Sequence, residues 1–256
     1  MGSRKWVIAA TLAAASLAGC HKAMTPKAEF NRGLAYYQGK GVPKNYQKAV
    51  YWFRKAAIQG YAPAELHMAI VYYDGGHGVP RNDQKGGYWL RKAAIQGYAP
   101  AELHMGIAYD GGHGGVPQNY QKGVYWFRKA AVQGNAYAQT HLGTAYLLGH
   151  GVPQNYRKAF TWARKAAVQG YAPAQTMTGG AYFSGKGVPT NYVEAYKWFV
   201  LAKVQFTRSH NPLRYPETIW KSAASRALNI LTQRMPPAQI ARAQSMAAAW
   251  AKAHEK

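Results

Sequence analysis

The chain has 256 residues, 48% of them hydrophobic and 14% aromatic, enough apolar side chain to bury a core and to exclude wholesale disorder. Its charge is lopsided, 32 Lys+Arg against 9 Asp+Glu for a formal +23, which leaves few carboxylates for acid/base work or for holding a hard cation. A single cysteine excludes an internal disulfide and a thiolate metal cage.

The N-terminus reads as an export signal. Arg4 and Lys5 precede a largely apolar stretch from Trp6 to Leu17, followed by Leu17-Ala18-Gly19-Cys20. A basic start, a short apolar core and small residues make a secretory signal peptide, too short to span a membrane. The lone cysteine just past the small residues resembles the lipobox of bacterial lipoproteins. That resemblance implies lipidation of Cys20 through its sulfur after removal of residues 1–19; the alternative is an ordinary signal peptide that contains a cysteine. The mature chain keeps 30 Lys+Arg and 9 acids, about +21. His21, rather than Asp, follows the lipid site, which in lipoproteins is compatible with sorting to the outer membrane. The expected address is therefore its periplasmic face. Residues 20–26 then form a tether, and the eight steps from Cys20 to Ala28 reach at most roughly 25–30 Å.

The body repeats itself. Gly-Val-Pro recurs at prolines 43, 80, 117, 153 and 189, spaced 37, 37, 36 and 36, with Trp52, Trp89, Trp126, Trp162 and Trp198 nine residues later each time. A period near 36 means a repeat array with no single compact core. Each unit reads as two helices. In the second helix of the first unit, Asn45 to Gln59, Asn45 is the N-cap and Gly60 the stop, while Ala49, Trp52, Phe53, Ala56 and Ala57 make the buried stripe. By this reading all five tryptophans are core, and Trp126→Ala is expected to cost about 3–5 kcal/mol. Ala138, Leu142 and Tyr146 mark a first helix, with Gly143 allowing close approach; Pro63, Pro100 and Pro173 sit where a first-turn proline is tolerated.

Ala-x-x-x-(Leu/Met)-(Gly/Ala)-x-x-Tyr followed by Gly-x-Gly-Val-Pro-x-Asn-Tyr-x-Lys-Ala-x-x-Trp-x-(Arg/Lys)-Lys-Ala-Ala-x-x-Gly resembles the Sel1-like repeat, a longer relative of the tetratricopeptide repeat. The match covers residues 27–205. It implies an all-α fold, an α/α solenoid of five helix pairs, whose inner surface, lined mainly by first helices, binds other proteins. Arg32 replaces a buried Leu or Met, as suits a terminal unit. Beyond a polar break from Arg208 to Pro216, residues 206–256 supply two capping helices, marked by Ile219, Ala223, Ala227 and Leu231, then by Ile240, Ala243, Ala247 and Trp250.

Three groups of residues are candidates for function. His67, His104 and His141 share one position in successive first helices, held by Asn31 in the first repeat and Met177 in the fifth. Zinc ligands must converge within about 2.0–2.1 Å of the ion, whereas stacked helices lie roughly 8–10 Å apart, so a shared metal site is not expected. By the resemblance this row lies near the inner face and holds an extended partner, with Glu65, Glu102, Gln139 and Gln175 along the groove edge; the alternative is partly buried histidines satisfied by their neighbours. The paired cations Arg54-Lys55, Arg91-Lys92, Arg128-Lys129 and Arg164-Lys165 make a basic row on second helices. The loops Asp74 to His77 and Asp110 to His113 each offer two ligands at most and read as tuned turns.

No catalytic or phosphate-binding motif appears, and no cofactor is expected. The expected function is a non-enzymatic scaffold anchored in the bacterial envelope, with an acidic protein as partner and the membrane reached through the lipid. The runners-up are an envelope enzyme acting on cell wall or β-lactams, and a binder of anionic lipid, cell-wall polymer or another polyanion. The charge alone would fit nucleic acid, but no nucleic-acid-binding motif accompanies it and the address argues against that partner.

Overall fold

The computed structural model describes residues 24–76, 78–208 and 217–254. Among these are twelve α-helices: α1 (Pro26–Gln38), α2 (Tyr46–Ile58), α3 (Ala62–Asp74), α4 (Asp83–Ile95), α5 (Ala99–Gly111), α6 (Tyr120–Val132), α7 (Ala136–Leu148), α8 (Tyr156–Ala167), α9 (Ala172–Ser184), α10 (Tyr192–Arg208), α11 (Glu217–Arg234) and α12 (Pro237–Ala253). The signal segment, Cys20 and the tether up to Ala23, His77 and the Pro212 and Pro216 break lie outside the described residues. Each helix packs on its successor from α1 to α10, giving five helix pairs in an all-α solenoid.

One asparagine per repeat organises each pair. The Asn45 side chain accepts from the Lys48 N–H at 2.9 Å and so starts α2; Asn82, Asn119 and Asn155 cap α4, α6 and α8 in the same way. The backbone N–H of the same residue donates to a tyrosine carbonyl near the end of the preceding helix, Asn45 to Tyr36 and Asn119 to Tyr109 among them. The turn in between also needs glycine: at Gly187, φ is 82° and a Cβ would overlap the carbonyl of Tyr156.

Within a pair, a glycine of the first helix meets a ring of the second. A Cβ at Gly33 would lie 2.6 Å from the Phe53 ring and one at Gly179 2.9 Å from Phe199, while Gly106 faces Phe127 closer still. In the second repeat Ala69 takes the glycine position and the smaller Leu90 the ring position, a swap that conserves volume. These side chains, and not the tryptophans beside them, form the centre: Phe53, Leu90 and Phe127 are 1–2% exposed. That corrects the reading of the tryptophans. Trp52, Trp89, Trp126 and Trp162 are only partly buried, because one residue earlier on a helix is a rotation of about 100° onto the flank. Trp198 alone among the five is fully buried, beneath Trp250 at 6.1 Å between ring centroids.

The array is closed at its C-terminal end by α11 and α12, both packed on α10. Ala243 and Ala247 of α12 are buried as expected. In α11 the buried stripe runs through Ala224, Leu228 and Leu231, while Ile219 is exposed, so the first half of that helix is turned one residue from expectation. At the other end Arg32 is exposed, as a terminal unit requires, and its guanidinium lies 4.6 Å from the Trp52 ring centroid.

Candidate partner-binding surfaces

The residues expected along a groove edge are buried instead. Glu65, Glu102 and Gln175 have no exposed surface and Gln139 is 5% exposed, so none presents its side chain to a partner. Glu65, Glu102 and Gln139 staple the two helices of a repeat, whereas Gln175 donates to the Ala167 carbonyl of the repeat before at 3.3 Å. Glu65 accepts from Gln96 at 2.6 Å and pairs with Lys92 at 3.2 Å; Glu102 accepts from Gln133 at 2.7 Å and pairs with Lys129 at 3.6 Å. Glu29 repeats the arrangement with Gln59 and Lys55. In the fourth repeat Gln139 does the work without charge, accepting from Gln169 at 2.9 Å and donating to the Ala131 carbonyl at 3.1 Å. Burial pushes the Glu102 carboxyl above its usual range, against the opposing pull of Lys129 and Gln133.

This arrangement predicts an asymmetry. Lys129→Ala leaves the Glu102 charge buried without its cation and is expected to destabilise by about 2–3 kcal/mol, the lower end for a broken pair because the lysine is partly solvated. Glu102→Gln copies the arrangement at Gln139 and is expected to change stability by less than about 1 kcal/mol. Urea unfolding of both variants checks the pair; equal losses would contradict it.

The histidine row is packing. His67 sits against Phe30 and Phe53, each at 5.0 Å, with Nδ1 2.9 Å from the Pro63 carbonyl; His141 stacks on Phe127 at 4.6 Å and 14°. The His67 and His141 rings thus pack on the ring position of the repeat before, and all three histidines stay partly buried. Desolvation lowers the pKa of His67, where the backbone bond only partly opposes it, and of His104, and takes His141 down to about 4. These imidazoles are neutral at pH 7. Asn31, at the start of the row, is exposed.

The basic row divides in two. Lys55, Lys92 and Lys129 turn inward to their glutamates, each also 5.1 Å from the tryptophan ring of its own repeat. Lys165 lies over Trp162 at 4.5 Å and stays exposed. Arg54, Arg91, Arg128 and Arg164 are all exposed, and Arg128 also donates to the Tyr146 hydroxyl at 3.3 Å. Among the described residues no group of three or more His, Cys, Asp or Glu could hold a metal.

A cleft of about 380 Å³ opens between α8, α9, α10 and α11. Leu147, Phe160, Met177, Phe183 and Trp220 give it an apolar lining, and Lys186 stands on its wall over the Tyr156 ring at 5.1 Å. The local reason is the sequence of the fourth repeat: Ala163 stands where other repeats have Phe53, Leu90, Phe127 and Phe199, and Gly143 faces it. Met177, in the histidine position, fills the space only in part.

The sequence model of the Sel1 repeat matches five segments, residues 26–61, 62–98, 99–135, 136–171 and 172–203. The chain belongs to the Sel1 repeat family. Among solved structures it is similar to c5321, a protective antigen present in uropathogenic Escherichia coli strains that displays an SLR fold, with 32% identity, a TM-score of 0.75, and coverage of 89% of this chain and 46% of that one. This chain therefore spans under half the length of that protein. It is also similar to a Sel1 repeat protein from Oxalobacter formigenes, with 28% identity, a TM-score of 0.66, and coverage of 78% of this chain and 85% of that one. No curated protein matches the chain. Sel1 repeats generally mediate protein–protein interaction. The cleft between the fourth and fifth Sel1 repeats was missed from sequence, although its signal was present: Ala163 breaks the series of large residues and Met177 breaks the histidine row.

Proposed function

We propose that this Sel1 repeat chain is a non-enzymatic protein-interaction scaffold, held at the bacterial envelope by a lipid on Cys20. Its partner is an acidic protein that places one bulky apolar side chain in the cleft between α8, α9, α10 and α11. The observation that carries this reading is the cleft's setting. An apolar hollow of about 380 Å³ matches the lower range of ligand-binding cavities. Most of its lining, from Leu147 to Lys186, falls in an 83-residue stretch, 111 to 193, that contains eight basic residues and no Asp or Glu. A buried apolar anchor supplies affinity, and the one-sided charge speeds encounter with an acidic surface. The membrane half of the proposal is supported by the signal segment and the position of Cys20.

Gly180 lines the cleft, and a Cβ there would meet nothing within 4 Å, so Gly180→Leu fills the hollow without strain and removes a poor helix former. In-cell crosslinking with pull-down should show a partner whose capture falls at least tenfold in Gly180→Leu at an unchanged Tm. Cys20→Ser should move the chain out of the membrane fraction. Undiminished capture by Gly180→Leu removes the cleft from the proposal, and turnover of a cell-wall or β-lactam substrate by the purified chain would replace the scaffold with an enzyme.

A further inference from the structure

The second helix of each repeat carries an outward row that neither the core nor the cleft uses. In α2, α4 and α6 the row is tyrosine, then arginine three residues on, then a β-branched aliphatic four residues after that. These spacings put all three on one side of a helix. Tyr51, Tyr88 and Tyr125 are 56–59% exposed. Ile58, Ile95 and Val132 are 64–68% exposed, and Val168 of the fourth repeat, on the residue that caps α8, is 42% exposed. A single aliphatic at a helix end means little, but four in register form a line. The arginine position is filled in all four repeats and is exposed each time. The lysine beside it is withdrawn to a buried glutamate in the first three repeats, which leaves arginine as the more exposed cation there, although Arg128 also donates to the Tyr146 hydroxyl at 3.3 Å. The four helices hold a single carboxylate, Asp83, already paired with Arg81 at 3.0 Å.

We infer that this outward face docks on an anionic phospholipid bilayer, laying the solenoid against the membrane along α2, α4, α6 and α8. The chemistry of the row is that of the headgroup boundary. Phenol rings settle at the interface, guanidinium groups pair with lipid phosphate, and short aliphatics reach the acyl edge. Side chains that project from helices make a poor pocket for a shaped ligand, whereas a fluid bilayer conforms to them. The absence of free carboxylates supplies the charge complementarity. This inference rests on the envelope address proposed above, yet the two fail separately, because bilayer docking by the row requires no lipid on Cys20.

The test is vesicle co-sedimentation of the full chain carrying Cys20→Ser. Binding is expected to vesicles of phosphatidylethanolamine with 30% phosphatidylglycerol, and to be at least tenfold weaker with phosphatidylcholine alone or in high salt. Replacing the aliphatic line (Ile58→Ser, Ile95→Ser and Val132→Ser together) should weaken binding at least tenfold at constant charge and unchanged Tm. Removing three cations elsewhere, Lys203→Gln, Arg234→Gln and Lys252→Gln, should change it less than threefold. Absence of binding to the anionic vesicles overturns the inference. So does binding that ignores the aliphatic line but follows total charge, or that soluble polyglutamate abolishes while the serine variant binds normally; the last outcome would make the face a site for acidic protein.

Discussion

Phe127→Ala is expected to destabilise the array by about 3–5 kcal/mol, while Trp126→Ala, one residue away, should cost less than about 2 kcal/mol. Phe127 is 1% exposed, lies on the glycine face of α5 and carries the His141 ring of the next repeat. Its loss opens a cavity at two contacts together, one inside the repeat and one between repeats. A companion experiment uses the second repeat as its template. Gly106→Ala alone forces the new methyl into the Phe127 ring and should cost about 1–3 kcal/mol. Combined with Phe127→Leu it recreates the Ala69–Leu90 pair, so the two changes should couple favourably by at least about 1 kcal/mol. Denaturant midpoints decide the matter; a larger loss at Trp126 than at Phe127 would place the core wrongly.

Acid should weaken the fold through its histidines. His141 has an ordinary pKa near 6.5 in the unfolded chain and about 4 in the folded one, so between these values the unfolded state binds more protons. The stability it contributes is complete above pH 6.5 and is lost as the pH falls toward 4, on the order of 3 kcal/mol. His67 and His104 are lowered too and add in the same direction. Glu102, raised in the folded state, works against them, since acid relieves the strain of holding it charged. Urea unfolding at pH 7 and 4.5 should show the net loss. His141→Met, which borrows the residue found at Met177, should flatten most of it at little cost near neutrality. A wild-type chain equally stable at both pH values would contradict a neutral, partly buried ring.

Much of this was legible in the sequence, and the parts that were not share one cause. The period, the helix boundaries at Asn45 and Gln59 and the terminal character of Arg32 follow from caps, turn residues and repetition, which are local. What the sequence left open was the rotation of each helix about its axis. A stripe containing both Trp126 and Phe127 does not say which faces the neighbour, and the choice of Phe127 is made by Gly106 across the interface. The same ambiguity put Glu65 and Glu102 on a groove edge. Their lysine and glutamine partners lie about thirty residues downstream, at a separation that only the pairing of two helices explains.

The asparagine that closes one helix and opens the next also sets where the chain tolerates a change of length. From the tyrosine carbonyl to the asparagine N–H there are nine residue steps at Tyr36–Asn45 and ten at Tyr72–Asn82, yet the bond survives at 3.0 and 2.8 Å. The additional residue is taken up inside the glycine turn, and all five first helices keep 13 residues. Each turn is thus a slack loop bridged by a fixed clasp. Insertions that enter there are hidden from the rest of the molecule, so the turns can diverge in length while the spacing of successive units stays constant.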